Sequence, residues 1–160
     1  MRILGIDPGY ERLGIAVLEK NSGDKKEQVL YSECFKTSAK LKFEERLLLI
    51  GNKIRKIIEE YKPEKLAIET LFLNTNQKTV MRVGEARGVI IYEAISAGLG
   101  IFEASPPQIK MATTGYGGAS KEQIIKMVKM LVNVDKSKQS DDELDAIAIA
   151  ITAFAHIKNI

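Results

Sequence analysis

The sequence predicts an α/β protein in which a five-stranded mixed sheet is flanked by helices. Three observations carry that prediction. The amino-terminal part alternates short apolar runs with turns, as three consecutive strands would. Two long stretches of helical periodicity follow, each leading into a short apolar strand. The segment 144–154 is then apolar nearly all round, as expected of a helix buried across a sheet. A chain of 160 residues is long enough for one domain with a sizeable core, so residues 1–160 are assigned to a single domain.

The stretch Ile3-Leu4-Gly5-Ile6-Asp7-Pro8-Gly9 climbs one strand, delivers a carboxylate at its end and stops in a Pro-Gly turn. Residues 13–18 begin a second strand, so the pair reads as a hairpin with Asp7 near its tip. Residues 20–27 are polar, with Ser22-Gly23-Asp24 as a turn, and 29–35 return as a third strand antiparallel to the second. Cys34 within it reads as a small buried hydrophobe.

Phe43, Leu47, Ile50, Ile54, Ile57, Ile58 and Tyr61 recur at helical spacing, with Lys53, Lys56, Glu59 and Glu60 opposite. After Pro63, Leu66-Ala67-Ile68 is a fully apolar strand of the kind found centrally in a parallel sheet, and it ends in Glu69. Leu71, Phe72 and Leu73 follow, then a polar run. Phe72 is therefore either a cap folded back on the core or an aromatic presented to a partner.

Residues 78–97 form a second long helix containing Gly84 and Gly88, each costing roughly 1 kcal/mol of propensity relative to Ala. Their spacing puts both on one side near Met81 and Ala86, leaving room for a close neighbour, either the sheet or a second subunit. Surplus apolar positions (Val80, Val83, Val89, Ile90, Ile91, Ile95) motivate a homodimer. Residues 100–104 are the fifth strand. Ser105-Pro106-Pro107 turns into a short helix with Gln108, Ile109 and Lys110. Gly115, Gly117 and Gly118 mark a loop before a capping box at Ser120–Gln123, whose helix turns Ile124, Met127, Val128 and Leu131 inward. A polar linker, 133–139, leads to a second capping box, Ser140–Glu143, which opens the last helix.

An apolar fraction of 45% and a charged fraction of 28% fit an ordinary globular protein. One cysteine excludes a disulfide framework, and no Cys/His spacing suggests zinc. The start lacks a signal-peptide pattern, and the apolar run near the end is too short and too interrupted to span a bilayer. The expectation is a cytoplasmic protein with no membrane partner. A net charge of +3 leans towards an anionic partner.

Four carboxylates organise the chemistry. Asp142 and Asp145 are three apart on one helix and share a face. Asp142 could be a first-turn residue favoured by the helix dipole. Asp145, followed at once by Ala146-Ile147-Ala148-Ile149, needs a partner or a raised pKa. The sequence around it offers no basic side chain between Gln139 and His156, which makes a metal ion the natural partner. Asp7 and Glu69 each end a strand; if those strands are adjacent, both point to one edge of the sheet, within reach of the last helix. Four carboxylates without cysteine or a spaced histidine select a hard ion, Mg²⁺ or Mn²⁺. Two such ions can clamp an in-line phosphoryl displacement, so the residues read as a metal-dependent phosphodiester hydrolase.

The motif at residues 3–9, Ala67-Ile68-Glu69, Gly84-Glu85-Ala86-Arg87-Gly88 and the run Asp142-Glu143-Leu144-Asp145-Ala146-Ile147-Ala148-Ile149-Ala150 together resemble RuvC, the bacterial Holliday junction resolvase family, over essentially the whole chain. The resemblance implies a ribonuclease H-like fold. It also implies a homodimer that nicks two strands of like polarity across a four-way junction, leaving 5′-phosphate and 3′-hydroxyl ends. Two Mg²⁺ per active site are implied, with Mn²⁺ as a substitute, and a branch-migration helicase as a further partner. On the family's pattern Asp7, Glu69, Asp142 and Asp145 are the metal-binding and catalytic positions, Asp142 being one where members vary. Phe72 falls on an aromatic used at the junction centre, where base stacking is worth about 1–3 kcal/mol. Lys110 and Lys121 fall on basic residues at the DNA backbone. Lys78, Arg82 and Arg87 follow the Phe72 loop and are candidates for phosphate contacts, although Arg87 could equally pair with Glu85 or Glu93. His156 is read as structural or solvent-exposed.

The nearest alternative is another ribonuclease H-like nuclease acting on RNA or other branched nucleic acid. An actin-like nucleotide-binding module would need a second phosphate-binding hairpin and a longer chain. A non-catalytic DNA-binding protein would have to explain four carboxylates that repel phosphate.

Overall fold

A computed structural model describes residues 1–71, 77–132 and 139–157. Its order is β1 (Arg2–Asp7), β2 (Arg12–Glu19), β3 (Gln28–Lys36), α1 (Phe43–Tyr61), β4 (Lys65–Glu69), α2 (Gln77–Ser96), β5 (Gly100–Ala104), α3 (Pro106–Thr114), α4 (Lys121–Leu131) and α5 (Asp141–His156). The five strands form one sheet in the order β3-β2-β1-β4-β5. The first three pair antiparallel, as hairpin connections dictate, while β4 joins β1 and β5 in parallel through the α1 and α2 crossovers.

The period of two along each strand sorts side chains into two cores. Leu4, Ile6, Leu13, Ile15, Val17, Leu66 and Ile68 face α1 and α2, meeting Ile50, Ile54, Ile57, Ala86 and Ile90. Ile3, Ala16, Leu18, Ala67 and Ala104 face α5, with α3 and α4 outside it. The second face is lined by small residues because α5 lies almost against the strands. A Cβ at Gly5 would come 2.3 Å from the Ala146 carbonyl oxygen, and one at Gly14 would come 2.1 Å from that of Asp142. The same alternation puts Asp7, two on from Gly5, and Glu69, two on from Ala67, on the α5 face. The register pairs Ile6 with Ile68, so the two carboxylates leave neighbouring strand ends together.

Capping fixes where the last three helices begin. Ser105–Gln108, Ser120–Gln123 and Ser140–Glu143 each form a reciprocal capping box. Helix α1 ends on Lys62 at φ 49°, the left-handed conformation that costs a residue with a Cβ. Lys62→Gly is expected to raise stability by roughly 0.5–1 kcal/mol, read as a higher urea midpoint with unchanged slope.

One expectation needs correction, a second is narrowed, and one buried charge was not foreseen. Cys34 is only half-buried, and its thiol donates to Asp142 Oδ2 at 3.4 Å. Of the two α2 glycines, Gly84 has a close neighbour within the chain, a Cβ there standing 3.3 Å from Leu71, whereas a Cβ at Gly88 would meet nothing within 4 Å; α1 meets α2 through Gly51, where a Cβ would stand 3.1 Å from Val89. Arg46, which the helical pattern did not single out, is buried at 4% exposure. Its guanidinium bonds to Thr37 Oγ1 at 2.8 Å and the Tyr10 carbonyl at 3.2 Å, tying α1 to the turn after β1.

A carboxylate-lined cavity as the candidate active site

Asp7 at the end of β1, Glu69 at the end of β4 and Asp145 one turn into α5 line one cavity of about 270 Å³. Pro106, Ile109 and Lys110 from α3, Lys121 and Ile124 from α4, and Ile149 complete its wall. The parallel β1–β4 pair makes two strand carboxylates neighbours, and the close crossing of α5 at Gly5 and Gly14 brings the third over them. A cavity outside the carboxyl ends of parallel strands is where an open α/β sheet usually binds its ligand.

The electrostatics follow from packing three acids into a partly dry space. The Asp7 carboxyl is pushed up to about 7, by burial first and then by the charges of Asp145, Glu69 and Asp142, with Lys121 opposing. Burial and Asp145 raise Glu69. Burial raises Asp145 too, against the pull of Lys121. The Lys121 ammonium donates to Asp145 Oδ2 at 3.0 Å and lies 4.0 Å from Asp141. Asp145 therefore has a basic partner that its sequence neighbourhood did not reveal, carried in from the preceding helix. The two ammoniums of the wall, Lys121 and Lys110, do not balance three carboxylates.

Asp142 stands apart. It does not line the cavity, and its Oδ2 accepts from Arg12 Nε at 2.9 Å and from Arg12 Nη2. Burial acts to raise its pKa, but the bonds from Arg12 and Cys34 and the Arg12 charge outweigh it and hold the carboxyl below its usual range. Arg12 was not among the sequence candidates; a basic residue opening the second strand of a hairpin whose first strand ends in the key carboxylate was the available signal.

The other basic candidates divide. Lys110 shares the cavity. Lys78 is exposed at the start of α2, with no contact that assigns it a role. The Arg82 guanidinium lies 5.0 Å from the centre of the Phe43 ring and 5.8 Å from that of Tyr10, stacked on aromatics. Arg87 pairs with neither Glu85 nor Glu93. It donates to the Glu69 carbonyl at 3.1 Å and to Glu103 at 2.6 Å, bracing the end of β4 from the opposite face of the sheet, while Glu93 is taken by Arg55. Phe72 lies outside the described residues. His156 is exposed, its Nδ1 2.8 Å from the Thr152 carbonyl oxygen and its ring beside Phe102.

The donor set fits a hard divalent cation, since Asp7, Glu69 and Asp145 offer carboxylate oxygens with no thiol or imidazole among them. As placed, no three such groups among the described residues converge into a cage for an ion. Among those residues, no helix is long and apolar enough to cross a membrane.

Residues 3–153 match the family model described as "Crossover junction endodeoxyribonuclease RuvC". The protein of that name from Thermosipho melanesiensis is 45% identical over 150 residues, covering 94% of each chain. Its namesake from Caldicellulosiruptor saccharolyticus is 43% identical over 151 residues, covering 94% of this chain and 90% of the other. Among solved structures, T. thermophilus RuvC in complex with a Holliday junction substrate superposes with a TM-score of 0.90 at 31% identity, over 96% of this chain and 93% of that one. The yeast mitochondrial resolvase Ydc2 shares the fold at a TM-score of 0.70 and 15% identity, over 94% of this chain and 76% of that one.

Proposed function

Because the chain belongs to the RuvC family of crossover junction endodeoxyribonucleases, we propose that it acts as one ribonuclease H-like nuclease domain, 1–160, resolving Holliday junctions by hydrolysing a phosphodiester in each of two strands of like polarity. The observation that carries the active-site assignment is the meeting of Asp7, Glu69 and Asp145, from two strands and a helix, with Lys110 and Lys121 in one cavity. Asp142, at the same end of α5, is the fourth acid.

The acids would hold two Mg²⁺, or Mn²⁺ in their place, which when bound supply an activated water and stabilise the departing 3′-oxygen. The protein's own part is electrostatic and positional. Burial leaves the acids short of solvation, so they favour a cation over remaining charged alone. Lys121 and Lys110 would face the scissile phosphate from the α3–α4 side, anchoring the backbone without reading bases. Arg87 would keep Glu69 in place through its carbonyl. Lys78 and Arg82, with Phe72 between β4 and α2, would form the approach to the junction centre, Phe72 by stacking on an opened base.

Paired nicks require two such sites, so the active form is a homodimer. The exposed apolar side chains of α1 and α2 (Leu48, Met81, Tyr92, Ile95) are the surface offered to a second copy. A branch-migration helicase presenting the junction and a cytoplasmic location complete the reading.

The test is incubation with Mg²⁺ and a mobile four-way junction, beside linear duplex, single strand and an RNA–DNA hybrid, with both cut strands mapped. Symmetric nicks confined to the junction are expected. Equal cutting of the hybrid, or cuts in one strand only, would keep the nuclease chemistry and discard the resolvase reading.

A further inference from the structure

The geometry points to Arg12 as a positioning residue that latches the fourth carboxylate, Asp142, away from the three-acid cavity and so competes with a divalent cation for it. This rests on the metal-site reading above. The latch is built from three donors on one oxygen: Arg12 Nε at 2.9 Å, Arg12 Nη2, and the Cys34 thiol at 3.4 Å, all to Asp142 Oδ2.

Its position explains why it acts on this acid alone. Arg12 opens β2 and Cys34 lies on β3, paired across the ladder with Gly14. At Gly14 the Asp142 carbonyl lies so near the strand that it admits no Cβ. The start of α5 is therefore pinned on the β2–β3 side, and the Asp142 carboxylate is drawn towards that side, while Asp145, one turn on, faces Lys121 on the α4 side. Two acids three apart on one helix thus carry separate basic partners, and only Asp145 lines the cavity.

The Arg12 side chain is half-exposed, 51%, against 22% for Asp142. Its guanidinium can leave without being buried elsewhere, and a phosphate on the bound strand offers it a replacement acceptor of the same bidentate kind. A cation that recruits Asp142 as a further ligand must take it from Arg12, so removing Arg12 strengthens cation binding through Asp142.

The experiment is a calorimetric Mn²⁺ titration of the DNA-free protein, checked by the Mn²⁺ paramagnetic signal, on wild type, Arg12→Gln, Asp142→Asn and the double variant. Arg12→Gln is expected to tighten Mn²⁺ binding roughly three- to tenfold, the scale of a half-exposed charge-assisted pair. In the Asp142→Asn background the same change is expected to do nothing, since the cycle isolates the pair. Equal tightening in both backgrounds would show a general field effect of one positive charge and overturn the latch. No tightening in either would overturn it as well. If wild type binds no Mn²⁺, the metal-site reading falls first and the latch falls with it.

Discussion

Asp7→Asn is expected to abolish junction cleavage and, in a chelator above pH 7, to make the protein more stable than wild type. The two effects share one cause. Asp7 sits where burial and three neighbouring acids push its pKa from 3.8 to about 7. A folded-state pKa above the unfolded value means that the folded protein prefers the neutral acid. The associated stability is fully present below 3.8 and is lost as pH rises through about 7. Wild type without metal therefore bears a cost at neutral and alkaline pH that asparagine, an uncharged isostere, does not. At about 1.4 kcal/mol per pKa unit, discounted for the coupling among the acids, the gain is on the order of 1–3 kcal/mol.

Melting curves with and without excess Mg²⁺ check both halves of this prediction. The variant should melt above wild type in chelator, by a margin that shrinks as pH falls towards 4. Mg²⁺ should raise the wild-type melting temperature by mass action and leave the variant nearly unmoved. A variant less stable than wild type above pH 7 would mean that Asp7 is held by structural bonds and is no strained ligand. Cleavage at the wild-type rate would remove it from the active site.

Gly5→Ala is expected to destabilise the protein by about 3 kcal/mol or more and to lower cleavage further than the loss of folded protein explains. The added Cβ would stand 2.3 Å from the Ala146 carbonyl oxygen and 2.9 Å from the Ala150 Cβ. The nearer atom is backbone, so no rotamer change can absorb the contact, and overpacking of this kind typically costs 1–3 kcal/mol, occasionally more. The relief available is a shift of α5 away from β1, which carries Asp145 away from Asp7 and Glu69. Adding Ala150→Gly should recover only part of the stability, because it removes the Cβ contact and leaves the backbone ones, to the Ala146 oxygen and the Ala150 nitrogen. Chemical denaturation with single-turnover cleavage by the folded fraction reads both effects. Full recovery in the double variant would mean that the side-chain contact dominates and that the backbone crossing has slack.

The strands, the helices and their order were legible because each has a local cause. Period-two runs end in turn residues, helical periodicity marks α1 and α2, two Ser-x-x-Gln/Glu boxes mark the starts of α4 and α5, and a Ser-Pro-Pro turn marks that of α3. The three acids that line the cavity were legible for the same reason: a carboxylate ending an apolar strand, or entering an apolar helix, is out of place unless something uses it. Pairings between distant segments were not legible. The inference that Asp145 lacks a basic neighbour holds along the chain and fails in space, where Lys121 reaches it at 3.0 Å from a different helix. Arg87 had two acids on its own helix and took neither, because the end of β4 and Glu103 lie within its reach on the sheet beneath α2.

Strand, helix and turn, the acids in apolar surroundings and the family resemblance could all be read along the chain, since they rest on local pattern and order. Only the tertiary structure decided how the charges are shared. It gave Lys121 to Asp145, gave Arg12 and Cys34 to Asp142, and left Asp7 and Glu69 between them without a basic partner of their own among the described residues. The reason is physical: charge pairing depends on separations of a few ångströms between elements far apart in sequence, and those separations are set by how closely α5 can lie on Gly5 and Gly14.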